Sequence, residues 1–352
     1  MNNSEPHESA AGYAQELLEF LAANRRSLSP LLILPHDYPD PDALAAAFAL
    51  HFLARECYGI ESRIAYRGVI GRSENQAMVS ILRIPVHRLK PGDLKKYRQV
   101  ALVDTQPAFE NNPFPGNRQA AMVIDQHEST VQPAADLALV DTGCGATCVI
   151  LAQALLLQKV EIPARVATAL AYGILSDTLN LYRAERPDVA QTYLSILRRA
   201  DMRALACIQN PVRSKGFFAM LGRCIREATV CGRLIVVHLG RIENPDLVSQ
   251  MAEFLLTYQQ SRWSLCTGRY KDKLHVSLRS AKQDGQAGEV LRDAFLNPEQ
   301  AGGHGAIAGG SCPVGVEMPE EVWQDKEQAL QERLMKRLRV SFKGGACKPF
   351  GG

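Results

Sequence analysis

The first half of the chain alternates short apolar runs with longer segments of helical pattern. The apolar runs have strand length and are nearly uninterrupted, which is typical of strands buried in a parallel sheet. They lie at residues 31–34, 62–66, 99–103, 120–124 and 137–140. Helices are predicted at residues 42–55, 147–158 and 163–175. Because strands that alternate with helices build a sheet covered by helices, we predict an α/β domain with a mostly parallel sheet and helices on both faces.

The second half predicts a smaller α/β domain. Strands are predicted at residues 229–239, 262–270 and 274–280, and helices at residues 245–258 and 320–339. Residues 187–226 are helical in pattern and more charged. The predicted organisation is a first domain at 1–190 with an N-terminal extension at 1–25, a helical connector at 191–228, a second domain at 229–342 and a flexible tail at 343–352.

Composition places the chain among folded proteins of ordinary charge. The 352 residues are 46% hydrophobic and 22% charged, which disfavours extensive disorder and suits two domains. Lys and Arg number 40 and Asp and Glu 37, a net charge of +3, so the chain lacks the basic excess of proteins that coat long nucleic acid.

No apolar run approaches the ~18 residues of a membrane span, and no signal-peptide pattern opens the sequence. Nine scattered cysteines without a C-x-x-C pair are interpreted as reduced thiols, so we expect a cytoplasmic protein.

Acidic and histidine side chains follow several predicted elements of the first half. Ligands bind beyond the carboxyl ends of the strands in an open parallel sheet, so we expect these side chains to gather at one edge. They are His36, Asp40 and Asp42 after the first strand, Asp104 after the third, Asp125, Gln126 and His127 after the fourth, and Asp177 after helix 163–175. Gathered carboxylates need a cation or raised pKa values. Mixed His and Asp ligands suit Mn²⁺, Zn²⁺ or Fe²⁺, and two ions that share a carboxylate suit hydrolysis at phosphorus.

The order of these residues resembles the motifs of the DHH phosphoesterases. The first motif of that family, H-x-x-x-D-x-D, matches residues 36–42, and the second, an Asp at a strand end, matches Asp104. The third, Asp-His-His, matches residues 125–127 with one substitution, and the fourth, an Asp after a helix, matches Asp177. The resemblance therefore implies a metal-dependent phosphoesterase.

The resemblance also implies a role for each of these residues. Two Mn²⁺ ions are expected, one held by His36 and Asp40 and the other by Asp42 and Asp177, with Asp104 as the bridge. His127 is expected to face the substrate, where it could protonate the leaving oxygen. Asp125 is interpreted as a residue that orients its neighbours.

The second half extends the resemblance to one branch of the family. Residues 276–280 match a Ser-Leu-Arg strand of an associated C-terminal domain, and residues 302–310 match its glycine-rich motif. This branch looks like the nano-RNases, which degrade very short RNA and dephosphorylate adenosine 3′,5′-bisphosphate, and its relatives cleave cyclic dinucleotides or their linear products. The resemblance therefore implies a Mn²⁺-dependent phosphodiesterase or phosphatase of short nucleotides.

Adjacent glycines allow positive φ and form anion-binding nests of backbone N–H groups. Gly302 and Gly303, with donors from His304 and Arg279, are therefore predicted to bind a phosphate or nucleotide end. The active site is expected in the cleft between the two domains, where short nucleotides fit and long nucleic acid does not. No membrane partner is expected, and because members of the family often form dimers, a homodimer is the assembly that the resemblance implies.

Gln126 departs from the family pattern, in which a histidine at this place is a ligand of the second ion. A neutral amide oxygen is a poorer Mn²⁺ ligand than an imidazole. Three interpretations stay open: two ions with one bound weakly, a single or different ion with a shifted substrate choice, or lost catalysis with nucleotide binding retained. The alternative function is thus a non-catalytic nucleotide-binding protein. An inorganic pyrophosphatase is disfavoured because residues 302–310 resemble the nucleotide branch.

Overall fold

A computed structural model describes residues 10–282, 284–340 and 347–350, the side chain of His304 excepted. The chain divides into two compact units, Met1–Pro211 and Val212–Gly352, so the predicted connector 191–228 is shared between them. Of the predicted tail, residues 343–346 and 351–352 lie outside the described residues, while Cys347 forms an antiparallel bridge with Val230. Within the described ranges, none of the helices combines the length and the apolar content needed to cross a membrane.

The first unit contains a six-stranded parallel sheet with strand order β3-β2-β1-β4-β5-β6. Its strands are β1 (Leu31–Pro35), β2 (Ser62–Tyr66), β3 (Val86–Arg88), β4 (Gln99–Val103), β5 (Ala120–Asp125) and β6 (Ala135–Val140). Each strand predicted for this half is present. The short edge strand β3 was not predicted, because it has only three residues and two of them are exposed.

The strand register determines which side chains leave the sheet together. Leu31 lies opposite Gln99, and Pro35 lies opposite Val103, so β1 and β4 end level with each other. The residues that follow, His36 and Asp104, therefore emerge side by side at the carboxyl edge, as the strand pattern predicted.

The helices of the first unit are α1 (Ala10–Asn24), α2 (Pro41–Phe52), α3 (Ser73–Leu82), α4 (Asp93–Lys96), α5 (Cys148–Gln158), α6 (Ala164–Asp177), α7 (Pro187–Leu197) and α8 (Met202–Gln209). Helix α2 continues into a π-helical turn at Leu53–Cys57. Helix α1 lies within the predicted N-terminal extension. Its residues Ala10, Ala14, Leu17 and Leu21 are fully buried, the spacing of a helix with one apolar face, so this segment belongs to the core.

The two faces of the parallel sheet have different covers. Leu31 and Ile33 of β1 belong to a large core with buried side chains of α1, α2, α5 and α6. Leu32 and Leu34 point the other way and pack in a smaller core with Tyr97, at the end of α4, and with the loop between β4 and β5. This alternation follows from the period of two along a strand. The α/β architecture is as predicted, with the longer helices on one face and α4 with adjoining loops on the other.

The second unit is built on a mixed six-stranded sheet with strand order β11-β12-β10-β9-β8-β7. Its strands are β7 (Thr229–Cys231), β8 (Leu234–Arg241), β9 (Trp263–Tyr270), β10 (Lys273–Ser280), β11 (Ala301–His304) and β12 (Ile307–Pro313). Its helices are α9 (Lys215–Glu227), α10 (Asp246–Leu256), α11 (Ala287–Ala294) and α12 (Glu320–Arg337), with a 3₁₀ turn at Pro298–Gln300. Strands β8 and β9 are parallel, and β9 and β10, both predicted as strands, form an antiparallel hairpin.

Two segments of the second unit differ from the prediction. The single strand predicted at 229–239 is two antiparallel strands, β7 and β8, because Gly232 adopts a φ of +58° that lets the chain reverse. The glycine-rich segment 302–310, predicted as an anion-binding nest of backbone N–H groups, forms most of the antiparallel pair β11 and β12, in which Gly302 lies opposite Gly309. Residues without side chains let these two strands and their neighbours approach closely, which the sequence did not predict.

Candidate metal centre

His36, Asp40 and Asp104 form a compact group at the carboxyl edge of the parallel sheet. The Nε2 atom of His36 lies 3.5 Å from Oδ2 of Asp104 and 3.7 Å from Oδ1 of Asp40. The Nδ1 atom of His36 lies 2.7 Å from the backbone carbonyl oxygen of Asp37, so Nδ1 carries the proton and Nε2 is free to act as a metal ligand. One ligand atom from each of the three residues lies within 4.8 Å of the others.

Local backbone geometry holds the two carboxylates of this group. Asp40 is the N-cap of α2, where its Oδ1 accepts the N–H of Ala43 at 3.0 Å. Asp104 adopts a left-handed φ of 58° directly after β4, a conformation that Asp tolerates better than most residues. Its N–H donates to the carbonyl of Ile124, and its Oδ1 accepts the hydroxyl of Thr147 at 2.7 Å. Asp104 is 2% exposed.

The charges in this group shift one another's pKa values in the metal-free protein. Burial lowers the pKa of His36, but the hydrogen bond and charge of Asp40 and the charge of Asp104 outweigh it, and the pKa is raised to about 10. Desolvation raises the pKa of Asp40, yet its hydrogen bond to His36 lowers the net value to about 2. Burial and the charge of Asp40 raise the pKa of Asp104 to about 7. A divalent cation could replace the proton of His36, so the donor set fits a metal.

Asp42 occupies a different position, in the first turn of α2. It is fully buried. Its two oxygens accept the backbone N–H groups of Thr147 and Cys148 at 2.6 and 2.8 Å, at the start of α5, where the helix dipole favours a negative charge. Burial first, and then the charges of Asp104 and Asp177, nevertheless raise the pKa of Asp42 well above its ordinary value.

Gln126 lies between Asp42 and Asp177, the last residue of α6. Its side-chain nitrogen donates to Oδ2 of Asp177 at 2.5 Å and to Oδ2 of Asp42 at 3.4 Å. Desolvation and the charge of Asp40 raise the pKa of Asp177 to about 6, against the hydrogen bond from Gln126. Gln126 thus points into the centre, as its place after β5 predicted.

Asp125 and His127 flank the group on the side of β5. Asp125 is fully buried. Its Oδ1 accepts Nδ1–H of His127 at 2.8 Å and the backbone N–H of Gln126 at 2.8 Å, and its Oδ2 accepts the amide of Gln106 at 2.8 Å. Burial lowers the pKa of His127, but the hydrogen bond to Asp125 and nearby carboxylates raise it to about 9. Asp125 thus holds one ring nitrogen of His127, whose side chain remains 40% exposed, and its orienting role stays a prediction.

Two residues of this centre were not among the predicted site residues. Thr147 donates its hydroxyl to Asp104 and its N–H to Asp42, and Gln106 anchors Asp125. The available signals were weak: Thr147 stands at the predicted start of a helix, and Gln106 follows Asp104 by two positions. Neither position contains an ionisable group, so a search for metal ligands passes over both.

The predicted substrate-binding residues lie together in the second unit. Arg279 in β10 is 7% exposed and donates to the carbonyl oxygens of Leu278 and Ala308 and to the carboxylate of Glu253. Gly302 and Gly303 are in β11. The backbone of His304 ends the same strand, and its side chain is outside the described residues. Their role toward a substrate stays a prediction.

The fold and the site together define a two-unit α/β protein with a candidate His and Asp metal centre at the carboxyl edge of a parallel sheet. Residues 30–174 match the N-terminal domain of the DHH family. The match covers less than half of the chain, and over these residues it confirms the family resemblance drawn from the motifs.

Individual proteins are similar to this chain in sequence or in fold. An uncharacterized protein from Methanocaldococcus jannaschii is 34% identical over 318 residues, which cover 89% of this chain and 63% of that relative; the chain thus spans less than two thirds of its length. The fold is similar to that of an exopolyphosphatase-related protein from Bacteroides fragilis, with a TM-score of 0.71, 13% identity and coverage of 93% of this chain and 97% of the other. It is also similar to RecJ from Thermus thermophilus, solved with Mn²⁺, with a TM-score of 0.54, 16% identity and coverage of 96% and 56%.

Proposed function

We propose that the protein is a divalent-cation-dependent hydrolase of phosphoester bonds in short nucleotides, with Mn²⁺ as the cation. The observation that carries the proposal is the convergence of one nitrogen and two carboxylates, from His36, Asp40 and Asp104, within 4.8 Å. A cation bound there would lower the pKa of a water molecule and neutralise charge on phosphate oxygens. The match of residues 30–174 to the N-terminal domain of the DHH family supports the same reaction class.

The protein's own groups supply orientation and a proton. The carbonyl of Asp37 fixes the His36 ring so that Nε2 faces Asp40 and Asp104. Asp125 holds Nδ1–H of His127, which leaves Nε2 of His127 as the atom that can carry a proton. Because the pKa of His127 is raised to about 9, that proton is present at neutral pH and can be given to the leaving oxygen.

Short nucleotides are the substrate class that we propose. Residues 276–280 and 302–310 match the motifs with which one branch of the family binds nucleotide ends. The net charge of +3 offers little general attraction for long nucleic acid, whose binding depends on many cationic contacts. The candidates are dinucleotides or nano-RNA, cyclic dinucleotides or their linear products, and adenosine 3′,5′-bisphosphate.

A substrate panel tests this proposal directly. The purified protein is assayed with Mn²⁺ on a linear dinucleotide, a cyclic dinucleotide, adenosine 3′,5′-bisphosphate, pyrophosphate and an RNA of about ten nucleotides, with Asp104→Asn as the matched inactive control. We expect at least one of the first three to be cleaved much faster than the longer RNA, which needs an extended cationic track. Equal activity in excess chelator or in Asp104→Asn would overturn the metal mechanism, and equal rates on all lengths would overturn the substrate class.

A second candidate is a nucleotide-binding protein without turnover. The observation that favours it is the Gln126 amide between Asp42 and Asp177, where the family pattern has an imidazole. Tight binding of a dinucleotide or of adenosine 3′,5′-bisphosphate with no product after prolonged incubation would support this candidate over the hydrolase.

A further inference from the structure

Gln126 connects two carboxylates that come from different helices. Its side-chain nitrogen is 2.5 Å from Oδ2 of Asp177, at the end of α6, and 3.4 Å from Oδ2 of Asp42, in the first turn of α2. A primary amide has two N–H donors on this nitrogen, so one group can serve both acceptors. The opposite orientation would place the amide oxygen against two carboxylate oxygens. The nitrogen is therefore the atom that fits between them.

Asp42 is well supplied with donors apart from Gln126. The N–H groups of Thr147 and Cys148 bond its two oxygens at 2.6 and 2.8 Å, and the side chain is fully buried. With Gln126 it receives three N–H groups, so its oxygens have hydrogen-bond partners without a cation. Asp177 likewise has its Oδ2 occupied by the short bond from Gln126.

The described residues offer two groups of potential ligands, and both contain Asp104: His36 with Asp40 and Asp104, and Asp104 with Asp125 and His127. Neither group includes Asp42 or Asp177. In the second group, Nδ1 of His127 and Oδ1 of Asp125 are already bonded to each other at 2.8 Å. In the first group, Nε2 of His36 lies farther from its neighbours, 3.5 Å from Asp104 and 3.7 Å from Asp40, which leaves room for an ion between the three ligand atoms.

We propose that the centre binds a single divalent cation, through His36, Asp40 and Asp104, and that the Gln126 amide takes the place of a second cation between Asp42 and Asp177. The inference concerns the metal centre on which the proposed function rests, but it requires no turnover. It differs from the expectation of two Mn²⁺ ions, and it gives Gln126 a positioning role for α2 and α6 rather than that of a weak ligand.

Metal counting on the full chain tests the proposal without substrate. The protein is loaded with Mn²⁺, desalted, and analysed by inductively coupled plasma mass spectrometry, calorimetry and electron paramagnetic resonance. We expect one ion per chain, with the resolved hyperfine spectrum of an isolated Mn²⁺. Gln126→His should bind a second ion at least about tenfold more tightly than the wild type does, and its spectrum should show coupling between ions. Two ions of similar affinity in the wild type, or an unchanged count in Gln126→His, would overturn the proposal.

Three further variants make the result independent of one substitution. Gln191→His adds an imidazole on the exposed side of α7 and should leave the count at one. His36→Ala should lose the ion, whereas Asp177→Asn should bind it within about threefold of the wild type, because Asp177 is not a ligand in this proposal. A loss in Asp177→Asn as large as in His36→Ala would contradict it, even if Gln126→His failed to fold. One bound ion without hydrolysis would refute the proposed function alone, and hydrolysis with two bound ions would refute this inference alone.

Discussion

Nδ1 of His127 lies 2.8 Å from Oδ1 of Asp125, a carboxylate that is fully buried at the end of β5. Gln106 and the backbone of Gln126 donate to the same carboxylate, so three N–H groups fix its orientation. The histidine side chain is 40% exposed. Asp125 is therefore a buried acceptor of fixed orientation, and the His127 ring that it holds can be reached by a ligand. Because Asp125 accepts the proton on Nδ1, the proton that His127 can exchange with a ligand is the one on Nε2.

Asp125→Asn should lower the pKa of His127 in the metal-free protein. Burial alone lowers that pKa, and the hydrogen bond to Asp125 with the nearby carboxylates raises it to about 9, so removing one of those charges shifts it toward or below its ordinary value of 6.5. An NMR titration of the histidine ring measures the shift. If hydrolysis needs this proton, the fall in kcat at high pH should move to lower pH in the variant.

The contact between Asp125 and His127 should also make the free energy of unfolding depend on pH. Because the folded-state pKa of His127 is raised from 6.5 to about 9, its contribution to the free energy of unfolding is complete below pH 6.5 and is lost as the pH rises through about 9. Urea unfolding at several pH values across this range gives the slope of the free energy of unfolding against pH, for the wild type and for Asp125→Asn. Identical titrations and identical slopes would show that Asp125 does not control His127.

Replacing Asp104 separates metal binding from backbone conformation. Asp104→Asn and Asp104→Ala should both lose Mn²⁺ binding and turnover, because the carboxylate is the ligand shared by both candidate groups. Asn tolerates the left-handed φ of 58° at this position and can still accept the hydroxyl of Thr147, whereas Ala does neither. We therefore expect Asp104→Ala to be less stable than Asp104→Asn by about 1–2 kcal/mol.

Calorimetry with Mn²⁺ and urea unfolding followed by circular dichroism check both halves of this prediction. Both variants lose the charge of Asp104, so the difference between their free energies of unfolding does not include the effect of that charge. Retained Mn²⁺ binding in either variant would remove Asp104 from the metal site, and equal stability would show that neither the backbone conformation nor the Thr147 bond matters there.

The sequence predicted the parts of the fold that depend on uninterrupted apolar runs. Strands β1, β4 and β5 are buried over most of their length, so their composition alone identifies them, and the polar residues after each run then mark the carboxyl edge. The positions of His36 and Asp104 follow from this logic. The edge strand β3 has no such run, and the predicted N-terminal extension covers helix α1, although the buried residues of that helix recur with helical spacing.

Side-chain partners were less predictable than positions. The sequence places Gln126 at the site, but whether its amide meets a cation or two carboxylates depends on how the ends of α2 and α6 converge on β5, which is a tertiary relationship. The glycines at 302–310 show the same limit. Their composition suits a phosphate-binding loop as well as two closely packed strands, and only the pairing of β11 with β12 distinguishes these.

Mn²⁺ affinity should increase with pH. In the metal-free protein the pKa of His36 is raised to about 10, so between neutral pH and that value each bound ion must displace a proton from its ring. The association constant should therefore rise by about tenfold per pH unit between pH 7.5 and 9. The pKa of Asp104, raised to about 7, should make the dependence steeper at lower pH.

Calorimetry in two buffers of different ionisation enthalpy counts the protons released on binding. His36→Gln provides the control, because it removes the titrating ring and should bind more weakly with a flatter pH dependence. Proton release that is the same in His36→Gln as in the wild type would assign the proton to another group and contradict the ligand role of His36.

Gly302 and Gly303, adjacent in β11, should differ sharply in their tolerance of a methyl group. A Cβ on Gly303 would meet the carbonyl oxygen of Ile307 at 2.2 Å and Cα of Ala308 at 2.6 Å, and its φ is +145°. Backbone atoms cannot move aside as a side-chain end can, so Gly303→Ala should destabilise the second unit by about 2–3 kcal/mol. A Cβ on Gly302 has nothing within 4 Å, so Gly302→Ala should change stability by less than about 0.5 kcal/mol.

Tryptophan fluorescence during urea unfolding reports on this unit specifically. The chain has two tryptophans, Trp263 in β9 and Trp323 in α12, and both contact the core of the second unit.

Because Gly302→Ala should keep its fold, this variant also tests ligand binding without a change in stability. If Gly302 approaches a phosphate, the methyl group should weaken dinucleotide binding while the unfolding midpoint stays unchanged. A variant that binds as the wild type does would limit the glycines to their structural role in β11, and equal midpoints for both variants would show that the β11–β12 pair is not as close as the structure has it.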